Sequence, residues 1–278
     1  MHIPRLLIIP VVLAVILTIP ACGGRNATEE DAPTRGAAQL YEDASRQLGI
    51  GGYQQAIAYL ERLELFYPFS EYTRRGQLDL IYAYYRNGET ESAIDAANEF
   101  IRENPTHPDV DYAYYLRGLI YFDRDRNPLE KAFRADLTER PPADAERSLS
   151  YFAELVRRYP DSDYADDARQ RIVYLRERIA RYHLHVADYY MTRNAWLAAV
   201  NRARTVVETF ADTAEVANAL QIMARAYREL GMDDLAADAE RVLDANPQAP
   251  RARQSRGGLF KRDRRARPQR PVADGNDG

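Results

Sequence analysis

Few residues in this chain have the types and spacing that support chemistry. The chain has a single cysteine, Cys22, which excludes a disulfide framework and any metal site built from four thiolates. The segment 123–127 (DRDRN) has the opening spacing of a calcium loop. Such a loop needs Gly at its sixth position and Glu at its twelfth, where this sequence has Pro128 and Arg134. No calcium site is therefore predicted.

The histidines do not form a metal site either. His183 and His185 are two residues apart in a predicted helix, so their side chains point about 200° apart and cannot bind one ion together. The sequence also contains no glycine-rich phosphate loop, nucleophile elbow or paired-histidine protease motif. We predict a protein that is not an enzyme and has no cofactor and no metal.

The residues before Cys22 predict how that cysteine is used. Arg5 precedes an uncharged run of 14 residues, Leu6–Ile19, which as a helix is about 21 Å long, shorter than the roughly 30 Å of a bilayer core. This pattern predicts a signal peptide over residues 1–21. The sequence Ile19-Pro20-Ala21-Cys22 resembles a bacterial lipobox. That resemblance implies cleavage before Cys22 and N-palmitoyl and S-diacylglycerol groups on it; the alternative is an ordinary signal peptide with an incidental cysteine.

The charge is divided unevenly along the chain. Residues 22–247 carry 28 basic and 39 acidic side chains, whereas residues 248–278 carry 9 basic and 3 acidic ones. A nucleic-acid-binding domain carries its positive charge on the fold itself, so no nucleic-acid partner is predicted. Residues 22–36 are expected to be a lipidated polar tether, and residues 248–278 a disordered basic tail. The tail is either simply solvated or contacts anionic lipid phosphates or an acidic partner.

Between these ends the chain repeats a helical unit. In each of five stretches, one residue is followed 15 positions later by Pro, or in the fourth stretch by Ala211. The five starting residues are Tyr53, Thr90, Ala145, Trp196 and Met232. Because Pro ends a helix, this spacing is typical of the second helix of a tetratricopeptide unit. The sequence predicts an all-α tetratricopeptide (TPR) superhelix of about five helix-turn-helix repeats over residues 37–247.

Twenty tyrosines are the unusual feature of the composition. They can fill gaps between helices, or line the concave face of the superhelix, where a rigid ring with a polar end suits peptide binding. Adjacent tyrosines on a helix point about 100° apart. At most one residue of the pair Tyr84-Tyr85, and one of Tyr114-Tyr115, is therefore expected in the core.

Several strings in this region resemble the BamD family, the tetratricopeptide lipoproteins of the β-barrel assembly machinery. They are residues 62–69 (RLELFYPF), 78–85 (LDLIYAYY), 104–108 (NPTHP), 155–160 (LVRRYP) and 200–202 (VNR). The resemblance covers residues 22–247 and does not include the basic tail. It implies a lipoprotein anchored on the periplasmic face of the outer membrane.

The resemblance also implies partners and their sites. Residues 37–140 would recognise unfolded outer-membrane proteins, with Tyr67, Pro68 and Phe69 at the binding site. Residues 141–247 would dock on the POTRA domains of a BamA-like barrel protein through Arg202, alongside other lipoproteins of the machinery. The alternative is an envelope TPR scaffold that organises cell-wall or division proteins, which would share the lipobox and the repeats but not these strings.

Overall fold

The computed structural model describes residues 35–125 and 140–246, and within these ranges the chain forms ten helices and no strand. Their bounds are α1 Ala37–Ile50, α2 Tyr53–Phe66, α3 Glu71–Asn87, α4 Thr90–Glu103, α5 Val110–Asp125, α6 Ala143–Arg158, α7 Ala165–Thr192, α8 Trp196–Thr209, α9 Val216–Glu229 and α10 Asp233–Ala245. The predicted signal peptide, Cys22 and the basic tail lie outside the described residues.

The ten helices form five consecutive hairpins, as predicted for a TPR superhelix. We call the odd-numbered helix of each hairpin its A helix and the even-numbered one its B helix. A helices of successive repeats contact each other in three cases, α1 with α3, α3 with α5, and α7 with α9. No comparable contact joins two B helices in the described ranges. The A helices therefore line the inner, concave side and the B helices form the outer side.

A left-handed residue makes the turn between the two helices of four repeats. These residues are Gly51, Gly88, Asn194 and Gly231, with φ angles of 81°, 86°, 56° and 71°. Glycine adopts this conformation without steric cost, and asparagine is the residue that tolerates it next best. The turn of the third repeat contains residues 126–139, which are outside the described residues.

The ends of the B helices agree with the predicted proline stops. The C-cap residue of each B helix immediately precedes the proline-equivalent position; the five are Tyr67, Asn104, Tyr159, Phe210 and Asn246. The equal spacing predicted for the first residues of the B helices is wrong in two repeats. Met232 precedes α10, which has 13 residues instead of 14, and Ala145 is the third residue of α6.

Helix α5 is buried on all sides, which the sequence did not predict. Tyr114 and Tyr115 are both in the core, so the expectation that at most one of them is buried is wrong. The reason is that α5 packs against α3, α4 and α6, while the ring of Tyr115 also stacks on Tyr164 just before α7. Gly118 permits this packing, because a Cβ there would lie 2.5 Å from the ring of Phe152.

Candidate functional site

Tyr67, the first of the predicted client-binding residues, is tied into the fold. Its hydroxyl donates a hydrogen bond to the backbone carbonyl of Arg35, 3.1 Å away. Its own carbonyl accepts one from Oγ1 of Thr73 at 2.6 Å, and its ring packs on the core of the first repeat. Tyr67 therefore joins the start of the described chain to the junction between α2 and α3.

The two residues after Tyr67 are in a different environment. Pro68 is exposed, and Phe69 has 97% of its surface exposed on the loop between α2 and α3. Leu65, near the end of α2, is also 73% exposed. We call Leu65, Pro68 and Phe69 the N-terminal apolar patch. An aromatic ring this exposed contributes little to packing, so it is free to contact another molecule.

Tyrosines of the A helices make a series of bonds to aspartates on the next A helix. Tyr41 donates to Asp79 at 3.1 Å, joining α1 to α3, and Tyr115 donates to Asp167 at 2.6 Å, joining α5 to α7. In a third bond Tyr85 donates to Asp123, joining α3 to α5. We call these three contacts the tyrosine–aspartate ladder. Burial, together with the facing carboxylate, raises the pKa of Tyr115 above its ordinary value of 10.

Other tyrosines remain available on the surface. Tyr189, near the end of α7, is exposed, and the guanidinium of Arg193 lies 5.3 Å from the centre of its ring. Tyr82 on α3 is half-buried, with Arg86 5.5 Å from its ring centre. Tyrosine and arginine together offer aromatic contact area and hydrogen-bond donors, a combination common where proteins bind peptides.

Arg202, the predicted partner-binding residue, is half-buried on α8 and forms no ion pair with any described residue. Nearby arginines of α7 are paired, Arg176 with Asp212 and Arg181 with Glu215. The positive charge of Arg202 interacts electrostatically with His183 on α7. Burial first, and then repulsion from Arg202, lowers the pKa of that imidazole from 6.5.

An open cleft of about 590 Å³ lies in the C-terminal half, where the A-to-B turn of the fourth repeat meets α9. Its apolar wall is made by Trp196, the only tryptophan of the chain, and by Met191. Arg225, Asp188 and Glu229 supply charges of both signs around it. The cleft suits a mixed polar and apolar ligand surface and contains no cysteine, serine or histidine that could act as a nucleophile.

Metal binding and membrane insertion each require a recognisable arrangement of residues. No group of three or more His, Cys, Asp or Glu residues there is arranged to hold a metal ion. None of the ten helices described is both long enough and apolar enough to cross a membrane. His183 is half-buried and His185 is exposed, in keeping with their predicted separation around the helix.

The fold and these surfaces define a tetratricopeptide repeat protein with no recognisable catalytic site in the described residues. A family model described as "YfiO: Outer membrane lipoprotein" matches residues 33–243. The outer membrane protein assembly factor BamD of Vibrio cholerae is 36% identical over 84% of this chain and 98% of its own length. BamD of Neisseria meningitidis serogroup A is 39% identical over 84% of this chain and 89% of its own length.

This chain therefore belongs to the BamD family of outer membrane lipoproteins. Members of that family are non-enzymatic assembly factors associated with the outer membrane, and the predicted family and fold are confirmed. A solved kinesin light chain structure with TPR-like repeats is also similar, at 15% identity and a TM-score of 0.34 over 75% of this chain and 92% of that one. The matched family region ends before the basic tail.

Proposed function

We propose that this chain captures unfolded outer-membrane proteins with residues 37–140 and docks on the POTRA domains of a BamA-like barrel protein with residues 141–247. The similarity to proteins named outer membrane protein assembly factor supports this role. No nucleotide-binding motif occurs in the sequence, so the client's own folding and insertion drive the process. The chain acts by holding two other proteins together.

The charge of Arg202, which forms no ion pair with a described residue, is the observation that carries the docking half of the proposal. A half-buried guanidinium without a carboxylate partner has lost part of its hydration and gained no ion pair in return. Arginine forms two parallel hydrogen bonds with a carboxylate, which fixes orientation as well as affinity. A POTRA domain that presents an Asp or Glu to α8 would supply the missing partner.

The N-terminal apolar patch supports the client half. Outer-membrane strands carry apolar side chains alternating with polar ones and girdles of aromatic residues at both membrane interfaces. Phe69 and Leu65 expose apolar surface that such a segment would cover. Tyr67 positions this patch by fixing the loop that carries Phe69.

The remaining part of the proposal concerns anchoring. Cys22 would carry N-palmitoyl and S-diacylglycerol groups, each buried CH₂ contributing about 0.8 kcal/mol of membrane binding. Several acyl chains hold the protein permanently, on the periplasmic face where BamA-like POTRA domains and the other lipoproteins of the machinery would meet it. No further cofactor, metal or nucleic acid takes part.

Affinity purification of the full chain from detergent extracts, followed by mass spectrometry, tests the docking half. We expect a BamA-like barrel protein to co-purify with the wild type and to fall by at least about tenfold with Arg202→Glu, since reversing one charge of a desolvated pair costs several kcal/mol. Arg62→Glu is the matched control, because Arg62 is an exposed residue of another B helix, α2, and also forms no ion pair with a described residue. Absence of the barrel protein from the wild-type sample, or equal losses in both variants, would contradict the proposal.

Client capture is tested by diluting a urea-unfolded outer-membrane protein into a solution of the full chain and measuring how much of it binds. Phe69→Ser should weaken binding, while Val173→Ser, which alters an exposed apolar residue in the C-terminal half, should not. Equal binding by both variants would remove the N-terminal apolar patch from the site.

A further inference from the structure

The last helix that the structure describes, α10, exposes two positions that are buried in every earlier B helix. Four residues before the C-cap residue of the B helix, the first four repeats have Leu63, Phe100, Leu155 and Val206. Eleven residues before it, they have Ala56, Ala93, Ser148 and Ala199. All eight residues are at most 2% exposed. The corresponding residues of α10 are Val242 and Leu235, and they are 48% and 44% exposed.

The A helix of the following repeat is what buries these positions elsewhere. Gly76 of α3 lies so close to Leu63 of α2 that an added Cβ would be 3.3 Å from that side chain. Contacts of the same kind join α4 to α5, α6 to α7 and α8 to α9. The terminal unit of a repeat protein needs a polar outer face or a covering segment. Within the described residues, α10 has neither at Leu235 and Val242.

The same helix is strongly acidic. It contains five acidic residues and one basic residue, and the acidic ones are Asp233, Asp234, Asp238, Glu240 and Asp244. Asp238 pairs with Arg241, and Glu240 pairs with Arg228. The other three form no ion pair with a described residue. The uncovered apolar positions therefore lie on a helix with excess negative charge.

The sequence that follows has the opposite charge and a matching apolar pair. Residues 248–278 carry 9 basic and 3 acidic side chains, and Leu259-Phe260 is flanked by Arg256 on one side and by Lys261 and Arg262 on the other. Leu259 is 13 residues beyond Asn246, enough chain to reach about 40 Å. Leu235 lies only about 16 Å back along α10 from its end, so the segment can reach both uncovered residues.

We propose that residues 251–267 dock back onto α10 and cap the superhelix. Leu259 and Phe260 would lie against Leu235 and Val242, in the place that the next A helix takes in earlier repeats. The arginines of the segment would face Asp234 and the other carboxylates of α10. This cap does not depend on the client or docking roles proposed above, and it lies beyond the matched family region.

Disulfide trapping in the full chain tests the cap. Cys22→Ser removes the only native thiol, and Val242→Cys with Phe260→Cys introduces the pair expected to meet, in detergent-purified protein. The control pairs Phe260→Cys with Ala237→Cys, an exposed position about 140° around α10 from Val242. We expect an intramolecular disulfide at least about tenfold faster in the first pair, because docking raises the effective concentration of the two thiols. Equal rates would overturn the proposal.

Hydrogen exchange gives an independent measurement without cysteines. The double variant Leu259→Ser and Phe260→Ser keeps the charge and length of the tail, and we expect it to exchange the amides of α10 faster than the wild type does. Unchanged exchange would overturn the cap. Two further outcomes would assign the surface to another occupant and overturn it as well: disulfide-linked dimers that increase with concentration, or protection of α10 only after the barrel protein is added.

Discussion

The hydroxyl of Tyr85 on α3 donates a hydrogen bond to the carboxylate of Asp123 on α5, 38 residues further along the chain. Tyr41 and Asp79 repeat this contact at the same separation, between α1 and α3. Tyr115 and Asp167 are 52 residues apart, because residues 126–139 lengthen the third repeat. Each of the three contacts joins one A helix to the next, so together they help to fix the spacing of successive A helices.

Tyr85→Phe should destabilise the protein. The change removes only a hydroxyl, and water can reach the exposed Asp123 carboxylate in its place, so we expect the free energy of unfolding to decrease by about 0.5–1.5 kcal/mol. Urea denaturation followed by circular dichroism measures it. Tyr189→Phe is the control, because the Tyr189 hydroxyl makes no hydrogen bond to a described residue; a similar loss in both variants would argue against the ladder.

Alkaline pH should weaken the fold. Burial raises the pKa of Tyr85 and Tyr115 above the ordinary value of 10, and the facing carboxylates raise it further. Unfolded tyrosines lose their protons near pH 10, before the folded ones do, so ionisation favours the unfolded state. The stabilisation is complete below about pH 10 and is lost as the pH rises above it. Urea midpoints between pH 8 and about 11.5 should fall, and fall less in the Tyr85→Phe, Tyr115→Phe double variant.

Gly118→Ala should disturb the centre of the molecule. A methyl group there would lie 2.5 Å from Phe152, which is completely buried and has no room to move, so we expect a loss of about 1–3 kcal/mol in the free energy of unfolding. Gly49→Ala, in the last turn of α1, meets nothing within 4 Å and should be neutral or stabilise by up to about 1 kcal/mol. Thermal and urea denaturation should therefore show a lower stability for Gly118→Ala and an unchanged or higher stability for Gly49→Ala.

Arg202→Gln should raise the pKa of His183 toward its ordinary value of 6.5, because one of the two causes that lower it is removed. Proton NMR can follow the titration readily, since the chain has only four histidines. Arg204→Gln, on the same helix, is the control, because Arg204 bonds instead to the hydroxyl of Tyr227. A carboxylate brought to Arg202 by a docked partner should raise the same pKa.

Tyr67 and Phe69 should respond to mutation in opposite ways. Tyr67→Phe removes the bond to the Arg35 carbonyl and should lower the free energy of unfolding by about 1 kcal/mol. Phe69→Ser should leave stability within about 0.5 kcal/mol of the wild type, because the ring is almost fully exposed. A large loss of stability in Phe69→Ser would show that the ring packs in the folded protein and would weaken its assignment to client binding.

The sequence was sufficient to locate most helices, for a local reason. A proline stop is a property of each unit alone, and all five predicted stops lie directly after the C-cap residues of the B helices. Arg202 and Phe69 were predicted from the resemblance to the BamD family. The structure adds that Phe69 is almost fully exposed and that Arg202 is half-buried without an ion pair to a described residue.

The environment of α5 could not be predicted in this way. Whether Tyr114 and Tyr115 are both buried depends on how many helices surround α5, and the pattern within one helix does not contain that number. The ladder was missed for the same reason, although an aspartate 38 residues after each of Tyr41 and Tyr85 was a visible signal. The difference between Tyr67 and Phe69 likewise depends on a contact with Arg35, which is 32 residues from Tyr67 in the sequence.

Helix α3 belongs to two cores at once. Its residues Leu80 and Ala83 pack with α1 and α2, whereas Leu78 and Ile81 belong to a larger core that continues to α9. The first repeat contacts the other described repeats mainly through α3. A substitution that displaces α3 should therefore disturb both cores at once, whereas one confined to α1 should disturb only the first.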